Sequence, residues 1–211
     1  MVGLVHGGVG EEKGILALLV PKKPDTYIAF LRGINVGGNC LIKMSDLKAC
    51  FERLGFQNVR THIASGNVVF RAPKADTQKI EKEIEEALGK KYKFRPKVVV
   101  LNFKQMESIS KHIPKSWGRG AERRYNVLFL KKSIDSKKIL TGLHPKEKIE
   151  KVIYYPGVLY WSALTSDLTR TSMVKLSSQE IYQELTVRNL NTTKKVFEIM
   201  KEMDSAQSYI L

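Results

Sequence analysis

Between residues 26 and 101 the chain alternates two hydrophobic periods in a fixed order, and that order restricts the fold more than any other feature. TYIAFLR (26–32) is rich in β-formers and reads as a strand. RGINVGGNC (32–40) follows as a glycine loop. Leu47, Cys50, Phe51 and Leu54 then recur at helical spacing, with Ser45 as a candidate cap and Gly55 as a stop. VRTHIA (59–64) and NVVFRA (67–72) read as two strands joined through Ser65-Gly66 in a tight hairpin. Asp76 opens a second helix whose apolar face is Ile80, Ile84, Ala87 and Leu88, closed at Gly89. KVVVL (97–101) is a short buried strand. The order βαββαβ implies an antiparallel sheet with helices on one face, the ferredoxin-like plan.

A related order follows. FKQMESISKHI (103–113) reads as a helix ending at Pro114, and the basic loop SWGRGAERR (116–124) as a junction. YNVLFLK (125–131) reads as a new first strand and DSKKILTGL (135–143) as a short helix. KIEKVIYY (148–155) and VLYWSAL (158–164) flank Pro156-Gly157 as a second hairpin. The remainder reads as helical, over LSSQEIYQEL (176–185) and then a helix with the stripe Val196, Ile199, Met200 and Met203. The expected architecture is α+β: two tandem ferredoxin-like (βαββαβ-type) repeats with antiparallel sheets and C-terminal helices. The expected divisions are a tail over 1–25, a first subdomain over 26–115 and a second over 116–211. The tail is glycine-rich, and its apolar run ILALLV is too short for a signal peptide, so it reads as a loose extension or an early start.

Charge bears on partners. The 36 Lys+Arg exceed the 21 Asp+Glu for a formal net charge of +15. Such an excess suits polyanions, but most of these cations are lysines, the residue of solvated surfaces rather than of bidentate phosphate forks. No stretch approaches the roughly 20 apolar residues of a membrane span. Cys40 and Cys50 form neither a CxxC pair nor a disulfide framework, which implies a reducing, cytoplasmic setting.

RGINVGG, then LGFQNVRTHIASGNVVF, and finally TVRNLNTTKKV resemble the bacterial and archaeal family catalogued as domain of unknown function 1697. The resemblance runs over about residues 27 to 203. It implies tandem ferredoxin-like subdomains with a helical end, and it brings no activity. The motif positions are Arg32, Gly33, Asn35, Gly37 and Gly38; Ser65, Gly66 and Asn67; and Arg188, Asn189, Asn191 and Thr192. The chain departs from the pattern in its N-terminal tail, at Leu190 where an aromatic is usual, and in a longer segment over 168–178.

The glycine loop fails the specific phosphate tests. Gly33 to Gly38 has P-loop spacing, yet Asn39 and Cys40 stand where Lys and Ser/Thr are required, and no GxGxxG occurs. A nest of backbone N–H groups cupping an anion is the weaker alternative. Against it stands a plain corner packed on the adjacent hairpin. In the βαββαβ plan the loop and the Ser65-Gly66 hairpin share one edge. The candidate ligand site is therefore Arg32, Gly33, Asn35, Gly37, Gly38, Ser65, Gly66 and Asn67, with Arg32 read first as a clamp onto the hairpin and, as the alternative, as a ligand fork. A second candidate anion site lies around two helix starts, from Arg170, Lys175, Arg188, Asn189 and Asn191, with Ser177 or Ser178 able to cap one helix; ordinary capping with surface arginines is the favoured reading there.

Ser65 has no base placed to activate it, and the four histidines lack metal-ligand spacing. No metal and no cofactor is expected, the catalytic residues are unknown, and whether the chain is an enzyme stays open. The leading reading is a small anionic ligand. A nucleic-acid-binding module is the alternative, weakened because strand three lacks the aromatic run of RNA-recognition modules. The aromatics Tyr125, Phe129 and Tyr160 read better as a contact between the two repeats. An assembly or adaptor protein is the third reading.

Overall fold

From Thr26 to Leu31 every side chain of the first strand is buried, so both of its faces are covered. Alternation explains how. Tyr27, Ala29 and Leu31 pack with one group of helices, while Ile28 and Phe30 pack against a second sheet. The computed structural model describes residues 24–37, 40–92 and 94–206. The tail expected over residues 1–25 therefore lies almost wholly outside the described residues.

The first half comprises β1 (Asp25–Leu31), α1 (Met44–Arg53), β2 (Gln57–His62), β3 (Asn67–Ala72), α2 (Thr77–Lys91) and β4 (Val98–Asn102). Helix α3 (Phe103–Lys111) follows. The second half comprises β5 (Arg123–Leu130), β6 (Glu150–Tyr155), β7 (Val158–Leu164), the short α4 (Ser172–Ser177), β8 (Leu185–Asn189) and α5 (Leu190–Ser205). The strands form two four-stranded antiparallel sheets, ordered β2-β3-β1-β4 and β6-β7-β5-β8.

The sheets share a core. Ile28, Phe30, Val69, Val99 and Leu101 of the first meet Val127, Phe129, Val158 and Tyr160 of the second. Phe30 stacks on Phe129 with ring centroids 4.1 Å apart. Met106 and Ile109 of α3 and Val196, Met200 and Met203 of α5 complete this cluster. The methionine stripe is thus core. The outer face of the first sheet is covered by α1 and α2, where Cys50 is buried as expected. The outer face of the second is covered by 3-10 segments and α4. Among the described residues no helix is long and apolar enough to cross a membrane.

Several expectations need correction. Lys43, not Ser45, occupies the N-cap of α1, and it makes no side-chain cap. Gly89 does not end α2, which continues to Lys91. The helix expected over 135–143 is the 3-10 turn Lys137–Gly142, preceded by another at Lys132–Ile134. The segment 176–185, expected to be helical, holds the end of α4 and the 3-10 turn Glu180–Glu184. Strand β8 then begins at Leu185 where only helix was expected. Leu185 and Val187 do alternate with Thr186 and Arg188, but the run is only five residues long and two of its buried side chains are polar.

Two polar devices secure the halves. Val98 and Val100 belong to the edge strand β4, which pairs on one side with β1. Their backbone N–H groups donate to Glu85 Oε1 at 2.9 Å and Glu81 Oε1 at 3.0 Å. Both carboxylates meet Lys131 at the end of β5, at 2.6 Å (Glu85) and 3.1 Å (Glu81). Burial pulls the Lys131 ammonium down, but the Glu85 hydrogen bond and the charges of both carboxylates outweigh it and hold it above the usual lysine value. One carboxylate is in excess, and burial raises Glu81 despite the Val100 and Lys131 contacts. In the second half Glu150 is almost fully buried and accepts from Lys146 N–H, Ser172 N–H, Ser172 Oγ and Trp161 Nε1. Burial pushes its carboxyl up, but these four donors overcome that and set it below the ordinary glutamate value.

Lys131→Ala strands two carboxylates inside the junction. Urea unfolding should show a loss of roughly 3–5 kcal/mol. A loss under about 0.5 kcal/mol, the range of plain surface substitutions, would contradict a structural role for the triad.

Candidate functional site

The glycine loop and the hairpin do meet at one edge. Asn35, in the left-handed region at φ 52°, fastens them with its amide. Its Nδ2 donates to Ile42 O at 2.9 Å and to Ala64 O at 2.8 Å, and its Oδ1 accepts from Ile42 N–H at 2.7 Å. Gly66 lies where a Cβ would come within 2.8 Å of Leu31 Cβ and Ile34 Cδ1, at φ +76°. Only glycine fits that approach. Gly33 and Gly37 also take positive φ, with open space around them. Gly38 lies outside the described residues.

Asn67 is fully buried, and its Nδ2 donates to His62 O at 2.9 Å and to Ser65 Oγ at 3.1 Å. Its Oδ1 accepts from Arg188 Nε. The Arg188 guanidinium also reaches Thr186 Oγ1 at 2.9 Å, Val187 O at 2.8 Å, Leu31 O at 2.7 Å, Ser65 O at 2.8 Å and Gly66 O at 3.2 Å. It lies 5.5 Å from the centroid of Phe30. Burial pulls its guanidinium down to about 10, which leaves it charged at neutral pH. Carbonyl dipoles replace its lost hydration.

The clamp expected of Arg32 is therefore made by Arg188. Beyond the end of β1, the Arg32 backbone N–H donates to Lys97 O, on the β4 side of the sheet. Its side chain lies over the Tyr182 ring at 4.2 Å and donates to Leu185 O at 3.2 Å and Gln183 Oε1 at 3.4 Å. Both arginines tie the first sheet to the segment around β8, by different routes.

Of the polar side chains expected to receive a ligand at this edge, Asn35, Asn67 and Ser65 are engaged with one another or with the backbone. Among the described residues, three large apolar side chains stand exposed there: Val36, Leu41 and Ile63, at 63%, 70% and 51%, adjacent in sequence to Asn35 and to its partners Ile42 and Ala64.

The second expected set is divided by the fold. Arg170 is exposed and pairs with Asp167 at 2.8 Å, and Lys175 is exposed on α4. Ser177 and Ser178 donate to Val174 O and Lys175 O at the end of α4, so neither caps a helix start. Asn189 caps α5, accepting from Thr192 N–H at 2.8 Å. Asn189 and Asn191 line a cavity of about 280 Å3 with Gly118, Gly120, Arg123, Arg124, Tyr125 and Leu190. Arg123 and Arg124 were missed as site residues because the loop reads as a junction, and only β5 pairing with β8 brings them to the start of α5. Among the described residues no group of three His, Cys, Asp or Glu is placed to hold a metal ion.

A family profile described as protein of unknown function (DUF1697) matches residues 25–160. The chain belongs to this family. The match includes the glycine loop and the first hairpin, while the TVRNLNTTKKV segment lies beyond it. Among solved structures, the chain is similar to the conserved bacterial protein SP0830 from Streptococcus pneumoniae, at TM-score 0.74 and 24% identity over 84% of this chain and 99% of that one. That likeness concerns the fold alone. No curated protein matches the chain.

Arg188→Lys removes the planar fork, and an ammonium cannot span the same carbonyls. Its unfolding free energy should fall by roughly 2–4 kcal/mol, and Arg32→Ala, at a half-exposed position, should lose less. Equal losses in urea titrations would contradict the assignment of the clamp to Arg188.

Proposed function

We propose that the protein binds a small anionic ligand, and that the ligand sits at the start of α5 rather than on the glycine-loop edge. The supporting observation is the joining of two adjacent arginines, Arg123 and Arg124, to the first turn of a 16-residue helix in one cavity whose lining includes no carboxylate. The first backbone N–H groups of a helix lack intrahelical acceptors, and the helix dipole favours negative charge there. Guanidinium groups add the planar fork that matches phosphate or carboxylate oxygens. Asn189 and Asn191 belong to this reading, and Arg170 and Lys175 do not. Cys40 and Cys50, both unpaired, accord with a cytoplasmic setting.

We also infer that each sheet with its helices is one ferredoxin-like repeat, divided near residue 116. The two sheets share the order 2-3-1-4 when each half is numbered by itself. The sheet face that RNA-recognition modules leave open is covered here. Phe129 and Tyr160 are buried between the sheets, and Tyr125 packs on Trp117 at 5.0 Å. This weighs against base stacking as the activity.

The exposed trio Val36, Leu41 and Ile63 favours a second reading, in which the glycine loop and hairpin form an apolar tip that docks a protein partner, in line with an assembly or adaptor role. A combined Val36→Asp and Leu41→Asp variant, compared with wild type in sedimentation velocity over a range of concentrations, tests its simplest form. Association that disappears in the variant supports the docking tip, and identical profiles count against self-association there.

For the anion site, inorganic phosphate should raise the melting temperature above that in sodium chloride of equal ionic strength, and Arg124→Glu should abolish the rise. Arg124 is the residue to change because Arg123 is also tied to the carbonyls of Ile149 and Ser162. An equal melting temperature in both salts would overturn this reading. So would tight, base-selective binding of single-stranded oligonucleotides at physiological salt.

A further inference from the structure

A second cavity lies further along α5, between that helix and the end of α3. Its volume is about 390 Å3, within the range of small-molecule sites. Ile113, Pro114, Trp117 and Phe197 supply apolar surface. Trp117 is held on its other sides, tilted against Tyr125 at 5.0 Å and edge-on to Tyr160 at 5.9 Å. Phe197 is held against Phe103 at 5.8 Å. Both aromatic walls are therefore fixed by the shared core.

Around this apolar surface stand Lys111, Lys115, Lys194 and Lys201, with Glu198 as the single acid in the lining. Glu198 pairs with Lys195 at 3.3 Å, outside the lining, and Lys111 pairs with Glu107 at 3.0 Å. Among the described residues no ion pair is formed by Lys115, Lys194 or Lys201.

We propose that this cleft between α3 and α5 binds an amphipathic small molecule, an aliphatic or aromatic body carrying one anionic head. The body covers Trp117 and Phe197, and the head meets the lysine rim. Lysines are mobile point charges rather than planar forks, so they suit a single carboxylate or sulfonate head. The polar cavity at the start of α5 has two arginines and no comparable apolar wall, so the two sites select different ligands.

Decanoate is the probe, titrated calorimetrically into the full-length protein, with decanol as the uncharged control and inorganic phosphate as a competitor. The expected result is one saturable decanoate site, with decanol at least about tenfold weaker. Lys115→Glu with Lys201→Glu should weaken decanoate by at least about tenfold while leaving the melting temperature unchanged. Lys115→Glu alone is the second variant should that pair lower stability. Phosphate should not compete, and its effect on melting should survive in the lysine variants, which separates this site from the arginine cavity. Absence of saturable decanoate binding would overturn the proposal. So would equal binding of decanol, indifference to the lysine changes, or competition by phosphate.

Discussion

A buried guanidinium with no carboxylate among its described hydrogen-bond partners holds the two sheets in register. Arg188 extends from β8 of the second sheet and binds the end of β1, the Ser65-Gly66 turn and the start of β3 in the first. Burying a charge in this way is costly unless every donor is satisfied. The acceptors are mostly backbone carbonyls, which are fixed by the strands and turn that carry them. The geometry of the Ser65-Gly66 hairpin is thus both a product of the local sequence and a condition for housing Arg188.

That constraint shapes where function can lie. The inner faces of both sheets are spent on the shared core around Phe30 and Phe129, and the outer faces are covered. Two of the concave surfaces among the described residues flank α5, whose inward side completes the same core. One end of that helix faces Arg123 and Arg124, and its middle faces Trp117 and a lysine rim. A scaffold that locks the walls of these cavities through the core is suited to holding ligands, because wall positions cost little entropy to maintain.

Much of the first half was legible from local pattern. β1 and β3 are short runs of β-formers and α2 carries a helical period, and the βαββαβ order correctly brought the glycine loop beside the hairpin. The motif residues Asn35, Ser65, Gly66 and Asn67 do converge there. What they do with their hydrogen bonds was not legible, because the decisive partner of Asn67 lies 121 residues away on β8. β8 does alternate Leu185 and Val187 with Thr186 and Arg188, but a five-residue run with two apolar positions is a weak signal when read as the end of a helical segment. Lys131 and its two glutamates were hidden for a related reason: each looks like a surface charge until α2 packs against β4. The cavity at α5 combines one foreseen pair, Asn189 and Asn191, with two arginines that only strand pairing delivers.

If Arg188 and the Phe30–Phe129 core make the two sheets one cooperative unit, native-state hydrogen exchange in rising urea will report it. Amides of Val69 in the first sheet and Leu128 in the second should converge on a single opening free energy equal to that of global unfolding. Two separate isotherms, with one sheet opening while the other stays protected, would contradict the account.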